Sequence, residues 1–286
     1  MSAMLKLAVP NKGRLSERTL ELLSKAGFHV PRHARRLLAD VNGTWRLLFV
    51  RTDDIPEYVS TGTADVGITG LDIVSERGQP VEMLLELGFG KCRLVVAAPQ
   101  VNGANTVAQL QGQRVATVFP NLTRRFFNEQ GMDVDIVPLS GATEVAPSVG
   151  VAEAVVDLVE TGSTLRQNGL VELETFLYSQ AVLIANKDRW AQQKDSILEL
   201  QSAVKSVLDA QRRRYLMANV PQFKLDEVKA LLPGVTAPTI MPLLGQEDWV
   251  AVHAVIHEDV VNQLIPDLKR CGVEGLLILP IERMVS

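Results

Sequence analysis

Apolar positions in this chain recur first with the period of strands and then with that of helices, several times over. Leu5-Lys6-Leu7-Ala8-Val9 alternates and then runs apolar to Pro10, as a buried strand does. Beyond Asn11-Lys12-Gly13-Arg14, the residues Leu15, Leu20, Leu22, Leu23 and Ala26 follow helical spacing, which predicts a helix capped by Ser16 and stopped at Gly27. Residues 45–50 predict a second strand, and Asp53-Asp54-Ile55-Pro56 a helix start with acidic side chains at its positive end. Residues 66–70 predict a third strand, ending in a Gly loop before Leu71-Asp72-Ile73. This alternation predicts an α/β fold with a parallel sheet and ligands at the carboxyl ends of its strands. The loops at those ends hold Lys12, Gly13 and Arg14, then Arg51 and Thr52, then Gly70 and Asp72.

The plan repeats after a strand over 92–99 and a polar crossover over 100–105. Residues 114–118 and 134–137 predict strands, with a helix over 122–130 between them that Gly131 stops. An apolar run over 151–156 leads to Asp157, and residues 181–185 predict a strand that returns the chain to the first unit. From Trp190 to Met217 the spacing of Ile197, Leu200, Val204, Val207 and Leu208 predicts one long amphipathic helix, its negative end met by Arg212, Arg213 and Arg214. The remainder predicts βαββαβ: strands over 215–220, 239–241, 249–256 and 276–279, and helices over 225–232 and 259–269.

The stretch Asp157-Leu158-Val159-Glu160-Thr161-Gly162-Ser163-Thr164-Leu165 carries the most pointed chemistry. Gly162 allows close backbone approach, while Thr161, Ser163 and Thr164 bring hydroxyl donors to the start of a helix, so the loop reads as a phosphate cradle. The competing reading is an ordinary N-capped turn. Asp157 would accept from ribose hydroxyls or hold Mg²⁺.

Composition narrows the partners. The chain has 286 residues, 47% hydrophobic and 22% charged, with formal net charge -4 and no basic run longer than Arg212-Arg213-Arg214, which argues against nucleic acid. Cys92 and Cys271 predict reduced thiols rather than a disulfide framework. No apolar stretch reaches the roughly 20 residues of a membrane span, and Asn11-Lys12-Gly13-Arg14 interrupts any signal-peptide pattern, so the expected compartment is the cytoplasm. His253 and His257 would share a strand face, but no Cys, Asp or Glu joins them at ligand spacing. No Ser/His/Asp or Cys/His set is present either.

Several segments together resemble a known family. They are Lys12-Gly13-Arg14-Leu15, Asp53-Asp54-Ile55-Pro56, Ala64-Asp65-Val66-Gly67-Ile68-Thr69-Gly70, Phe89-Gly90-Lys91-Cys92-Arg93-Leu94, Pro120-Asn121-Leu122-Thr123-Arg124, Ser140-Gly141-Ala142-Thr143-Glu144, the Asp157 stretch with Asn168-Gly169-Leu170, and Leu279-Pro280-Ile281-Glu282. In this order they resemble ATP phosphoribosyltransferase in its long form, which carries a C-terminal regulatory domain. The resemblance implies a bilobal catalytic part of the type II periplasmic-binding-protein-like fold, plus a ferredoxin-like (ACT-like) α+β module. Lobe I would take residues 1–98 and 180–212, lobe II residues 99–179, and the regulatory module residues 213–286.

The implied activity, the first step of histidine biosynthesis, transfers the phosphoribosyl group of phosphoribosyl pyrophosphate to N1 of ATP, releasing pyrophosphate with Mg²⁺ present. By resemblance Thr161, Gly162, Ser163 and Thr164 hold the 5-phosphate, and Asp157 sits near the ribose hydroxyls. Arg14, in the loop with Lys12 and Gly13, and Asp72 lie near the adenine nucleotide, while Arg36 and Arg51 face the leaving pyrophosphate. Glu144 either assists at N1 or caps its turn, and no metal ligands are assigned. Histidine would act as feedback inhibitor at Asp226 and Thr239, in a homo-oligomer between dimer and hexamer. The competing reading is a non-catalytic bilobal small-molecule sensor.

Overall fold

The computed structural model describes residues 4–30, 37–101, 103–232 and 237–285. Arg36, one of the two arginines assigned to the pyrophosphate, lies outside the described residues. The chain divides into two compact units, residues 1–201 and 202–286.

The first unit begins with β1 (Leu5–Pro10), α1 (Gly13–Lys25), β2 (Leu38–Val41), β3 (Trp45–Val50), α2 (Ile55–Ser60), β4 (Val66–Gly70), α3 (Leu71–Arg77) and β5 (Val81–Glu86). Helix α1 starts three residues before the expected cap. Gly13 adopts φ +81, which lets the chain turn straight out of β1, so Ser16 is buried within the helix and Lys12 stands at the cap position. The chain continues through β6 (Cys92–Pro99), β7 (Arg114–Thr117), α4 (Pro120–Glu129), β8 (Asp135–Pro138), β9 (Ala154–Val159), α5 (Ser163–Gln167), β10 (Leu170–Ser179), β11 (Ala181–Asn186), α6 (Lys187–Gln192) and α7 (Lys194–Ala210).

These strands build two sheets. The first has the order β2-β3-β1-β4-β11-β5, and the second β10-β6-β9-β7-β8. The parallel arrangement expected of the first sheet holds only at its centre, where β1 pairs in parallel with β3 and β4. Strands β2, β11 and β5 are antiparallel to their neighbours. Strand β6, placed by its position in the sequence with residues 1–98, pairs instead with β10 and β9 in the second sheet. The chain therefore crosses once between β5 and β6, and β11 brings it back to the first sheet as its apolar run predicts.

Alternation along β6 explains the second sheet's two cores. Leu94, Val96 and Ala98 face Phe119, Phe126 and Phe127 on one side, while Val95 and Ala97 face Leu165 and Leu170 on the other. Phe126 also stacks on Phe176 of β10 with ring centroids 4.2 Å apart. On the first sheet, Ala8, Ile55, Val59, Ala64, Val182 and Ile184 form a corresponding buried cluster.

The one long helix expected from Trp190 to Met217 is two helices and a strand. Asn186 caps α6 by accepting from Arg189 N at 3.0 Å, α7 ends at Ala210, and Arg212 turns the chain with φ +60. Arg213 and Arg214 are then the first residues of β12 (Arg213–Pro221). Their neighbourhood is acidic: Arg212 donates to both carboxylate oxygens of Asp259 at 2.6 Å, and Arg214 to Glu258 at 2.5 Å. Carboxylates, not helix carbonyls, take up these charges.

The second unit continues with α8 (Leu225–Leu231), β13 (Thr239–Leu243), β14 (Gln246–His257), α9 (Val261–Arg270) and β15 (Glu274–Pro280). Its sheet has the order β13-β14-β12-β15, antiparallel throughout. One face carries both helices, with Leu216, Val252 and Ile256 packed among Val228, Leu264 and Leu268. His253 and His257 share the other face, but His253 bonds Tyr215 Oη at 2.6 Å and His257 faces Asp259. Among the described residues no cluster of three or more metal-ligating side chains forms.

Candidate active site

Because β1, β3 and β4 run in parallel, Pro10, Val50 and Gly70 all end at one edge of the first sheet. The loops that follow are stitched together. Asn11 N donates to Val50 O at 2.9 Å, and Thr69 Oγ1 donates to the carbonyl of Thr52 at 3.0 Å. Lys12, Gly13, Arg14 and Arg51 are all exposed on this edge. Asp72 differs from them. It is buried in the first turn of α3, where its N–H donates to Ser179 Oγ at 2.9 Å and its Oδ1 accepts from the same hydroxyl at 2.6 Å. Burial pushes its carboxyl above the usual carboxylate range, with Ser179 pulling the other way and the charge of Asp53 adding to the rise. A carboxylate so enclosed helps shape the strand-to-helix turn.

At the second sheet the parallel strands β7, β8 and β9 likewise end on a common edge. Asp157 lies within β9, two residues before its end, and is not part of the loop itself. Its Oδ2 accepts from Thr143 Oγ1 at 2.5 Å, and its Oδ1 accepts from Leu158 N at 2.7 Å. Burial holds this carboxyl above its usual range, the two hydrogen bonds oppose that, and Glu144 adds a like charge nearby. Glu144 is half-buried in the short turn Thr143–Val145, and its carboxylate makes no hydrogen bond among the described residues, so it does not cap that turn.

The loop after β9 turns sharply. Gly162 has φ +75 and is buried, and an added Cβ would lie 2.9 Å from Arg166 Nη1 and 3.0 Å from Glu172 Oε1. Arg166 Nη2 donates to Thr161 O at 3.1 Å, which braces the turn from behind, and Thr161 Oγ1 and Ser163 Oγ lie 3.1 Å apart. Thr161, Ser163 and Thr164 are exposed, and α5 starts directly at Ser163. The turn thus gathers exposed hydroxyls at the start of a helix, a donor set suited to an anion.

Among the described residues a hydrogen bond joins the two edges: Arg14 Nη1 donates to Glu160 Oε2 at 2.9 Å. Both side chains are largely exposed, so the pair contributes little stability. It does bring the loop after β1 within reach of the loop after β9. Ser179, the partner of Asp72, carries no distinguishing pattern along the chain. Thr143 and Glu160 stand in the motif segments already quoted, but their partners are 14 and 146 residues away. Of the expected effector residues, Asp226 lies at the start of α8 with its side chain 98% exposed, and Thr239 is exposed at the start of β13. No described hydrogen bond joins the two.

Comparison with known proteins covers both units. The family model for ATP phosphoribosyltransferase matches residues 51–206, and that for the HisG C-terminal domain matches residues 210–283. The ATP phosphoribosyltransferase of Gemmatimonas aurantiaca is 48% identical over 293 residues, covering 99% of this chain and 100% of that protein. The protein of the same name from Methanocaldococcus jannaschii is 41% identical over 288 residues, again with 99% and 100% coverage. Among solved structures, the ATP phosphoribosyl transferase (HisG:HisZ) complex from Thermotoga maritima aligns at 30% identity with a TM-score of 0.63, over 71% of this chain and 99% of that one. A structure of Tv2483 bound to L-arginine aligns at 15% identity and TM-score 0.50, over 72% of this chain and 85% of that one, which shows a likeness of fold alone. With near-complete relatives above 40% identity and both family models matched in order, the chain belongs to the ATP phosphoribosyltransferase family.

Proposed function

We propose that this chain transfers the phosphoribosyl group of phosphoribosyl pyrophosphate to N1 of ATP, giving phosphoribosyl-ATP and pyrophosphate as the first step of histidine biosynthesis. The observation that carries the reading is the pairing of two loop edges: a hydroxyl-rich turn over 160–164 on one, the cationic Lys12, Arg14 and Arg51 on the other, joined by Arg14 and Glu160. In this reading Thr161, Gly162, Ser163 and Thr164 hold the 5-phosphate, and Asp157 accepts from the ribose hydroxyls. Lys12 and Arg14 receive the nucleotide, and Arg51, with Arg36, draws charge from the departing pyrophosphate. Asp72 supports the turn beside them.

The chemistry asks little of a nucleophile on the protein. The C1–O bond to pyrophosphate breaks and a C1–N1 bond forms, through a transition state with positive charge on the sugar. N1 already carries a lone pair, so the work is alignment, charge stabilisation and exclusion of water. Guanidinium and amide donors supply the charge stabilisation. Mg²⁺ bound to the pyrophosphate oxygens would neutralise further charge. The donor set fits an ion carried in on substrate better than a protein cage, since Mg²⁺ commonly takes one or two carboxylates plus phosphates and both oxygens of Asp157 already accept protein hydrogen bonds. Glu144, half-buried and unbonded beside Asp157, is the carboxylate available to assist at the adenine.

For the fold we propose a bilobal, type II periplasmic-binding-protein-like catalytic part, its lobes being the two sheets with their helices. The regulatory module is ferredoxin-like, a reading supported by βαββαβ with the first and last strands adjacent, in the order β13-β14-β12-β15. Lobe I comprises residues 1–91 and 180–212 and lobe II residues 92–179, the boundary moved so that β6 goes with its sheet. The module spans 213–286, with the second half of α7 clustering with it from residue 202, and the protein works as a homo-oligomer in the cytoplasm. No helix of the described residues is long and apolar enough to cross a membrane.

Purified protein given ATP, phosphoribosyl pyrophosphate, Mg²⁺ and pyrophosphatase is expected to accumulate phosphoribosyl-ATP, followed by its absorbance. Absence of product under those conditions would sink the assignment and revive the sensor reading, which requires binding without turnover. Histidine is expected to inhibit this activity from the C-terminal unit. Asp226→Ala and Thr239→Val each remove a group able to bond a charged ligand, worth about 1.5–3 kcal/mol or roughly 10–100-fold in the inhibition constant. Both residues are exposed, so neither change should disturb folding. An unaltered inhibition constant in both variants places the effector elsewhere.

A further inference from the structure

Helix α3 is held by both halves of residues 1–201. Leu71 and Val74, three residues apart and so on one face, pack against the first sheet's cluster of Ala8, Ile55, Val59, Val182 and Ile184. Asp72, Ile73 and Glu76 belong to the other side, and each grips the second half. Asp72 is tied to Ser179 of β10, as described above. Ile73 packs on the second sheet's core among Leu94, Val96 and the phenylalanines of α4. Glu76 reaches the start of α4: Asn121 N donates to its Oε1 at 2.9 Å, Leu122 N donates to its Oε2 at 2.8 Å, and Asn121 Nδ2 donates to its carbonyl at 3.2 Å.

The first turn of a helix carries amides with no partner inside the helix, and a residue just ahead of it normally takes one up. In α4 that position belongs to Phe119, whose side chain cannot accept, and Pro120 follows it. The cap comes instead from Glu76, 45 residues earlier and on the opposite half. A carboxylate bonded to two adjacent amides fixes direction as well as distance. With one face on each core and its acidic side chain at the start of the next helix, α3 bridges the two sheets.

We propose that Glu76 is a positioning residue for phosphoribosyl transfer, acting through α4 to hold the loop over 160–164 at the correct angle to the loops after β1 and β3. The inference rests on the reading that the two substrates meet between those loops. In this reading the 5-phosphate and ribose are held by the loop of the second half, and Arg51 of the first half meets the pyrophosphate as it departs, so a misset angle costs the step that needs both edges far more than it costs binding. Misplacement on the scale of 1 Å lowers such a step by up to about 100-fold.

The test compares full-length wild type with Glu76→Ala, which removes both acceptors, and Glu76→Gln, which keeps one. Expected are a kcat lowered by roughly 10–100-fold in the alanine variant and by less in the glutamine variant. Calorimetric titration with phosphoribosyl pyrophosphate and Mg²⁺ should still count the wild-type number of sites per chain, at a Kd within about twofold. A kcat near the wild-type value in Glu76→Ala overturns the proposal. So does a site count that falls in proportion to kcat, because Glu76 would then only maintain the folded fraction. Turnover by wild type with unaffected variants overturns this inference alone, whereas a wild type that binds but does not turn over overturns the proposed function and this inference with it.

Discussion

The Gly162→Val enzyme is expected to bind phosphoribosyl pyrophosphate at least about 100-fold more weakly than wild type while remaining folded. Two features of position 162 combine to give that result. Its φ of +75 lies where a side chain costs about 1–2 kcal/mol, more for a β-branched one. A Cβ there would also crowd Arg166 Nη1 and Glu172 Oε1, at 2.9 and 3.0 Å. Both neighbours are ends of flexible side chains, so they shift rather than unfold the sheet, but Arg166 is the group that braces the Thr161 carbonyl. The loop then relaxes towards a turn that valine tolerates, and the Thr161, Ser163 and Thr164 hydroxyls no longer converge. Losing two bonds to a phosphate removes about 3–6 kcal/mol of binding, which sets the expected factor. Calorimetry and the Michaelis constant for phosphoribosyl pyrophosphate measure it, with circular dichroism as the control for folding. A Michaelis constant equal to the wild type's would count against this loop as the phosphate site.

Parts of this arrangement are legible in the chain and parts are not, for reasons that lie in where each element sits. The strands β1, β3, β4, β6 and β11 stand inside their sheets, and their apolar runs announce them. The strands the hydrophobic pattern does not announce, β2, β5 and β10, all lie at sheet edges. Edge strands are half-solvated and carry charge, as Glu82 and Glu86 in β5 or Glu172 and Glu174 in β10 do, so they lack a clean apolar signature. The mixed direction of the first sheet was hidden for a related reason: β11 arrives only after the whole second sheet, and local pattern carries no information about its direction. Arg213 and Arg214 match the expected helix terminus in charge, but β14 takes them into a strand by pairing Arg213 with His257 and Arg214 with Ile256.

The candidate site divides along the same line. Thr161 to Thr164 are contiguous, so their chemistry is readable in place. Asp157 and Thr143, Arg14 and Glu160, Asp72 and Ser179, and Glu76 with α4 are partnerships across 14, 146, 107 and 45 residues. No local spacing encodes them. Asp72 shows the consequence: its position at the end of β4 is legible as a candidate ligand contact, but its burial and its bond to Ser179 are not. A Cβ on Gly70 would lie 2.3 Å from Asp72 Oδ1, so glycine at the end of β4 is what leaves space for that carboxylate to fold back.

Asp157→Asn is the second change with a large expected effect, and its two consequences have opposite signs. Activity should fall by about 10–100-fold, because a carboxylate accepting from ribose hydroxyls is replaced by a neutral amide. Stability at neutral pH should rise. Burial keeps the folded-state carboxyl of Asp157 above its usual range, whereas an unfolded Asp titrates near about 3.9. Below that pH both states are protonated and the group contributes nothing to the difference. As pH climbs from there through the folded value, the unfolded chain ionises readily while the folded one resists, so wild type loses stability across that window and stays lower above it. Asparagine does not titrate, its carbonyl oxygen still accepts from Leu158 N, and the Thr143 hydroxyl can reverse to accept from the amide. The variant's melting temperature should therefore exceed that of wild type at pH 7, by about 2–4 °C for each kcal/mol released, and the gap should close towards pH 3.5. A gap that is the same at both pH values would show that Asp157 is not held above its usual range by burial, and a variant with undiminished turnover would remove Asp157 from the sugar site.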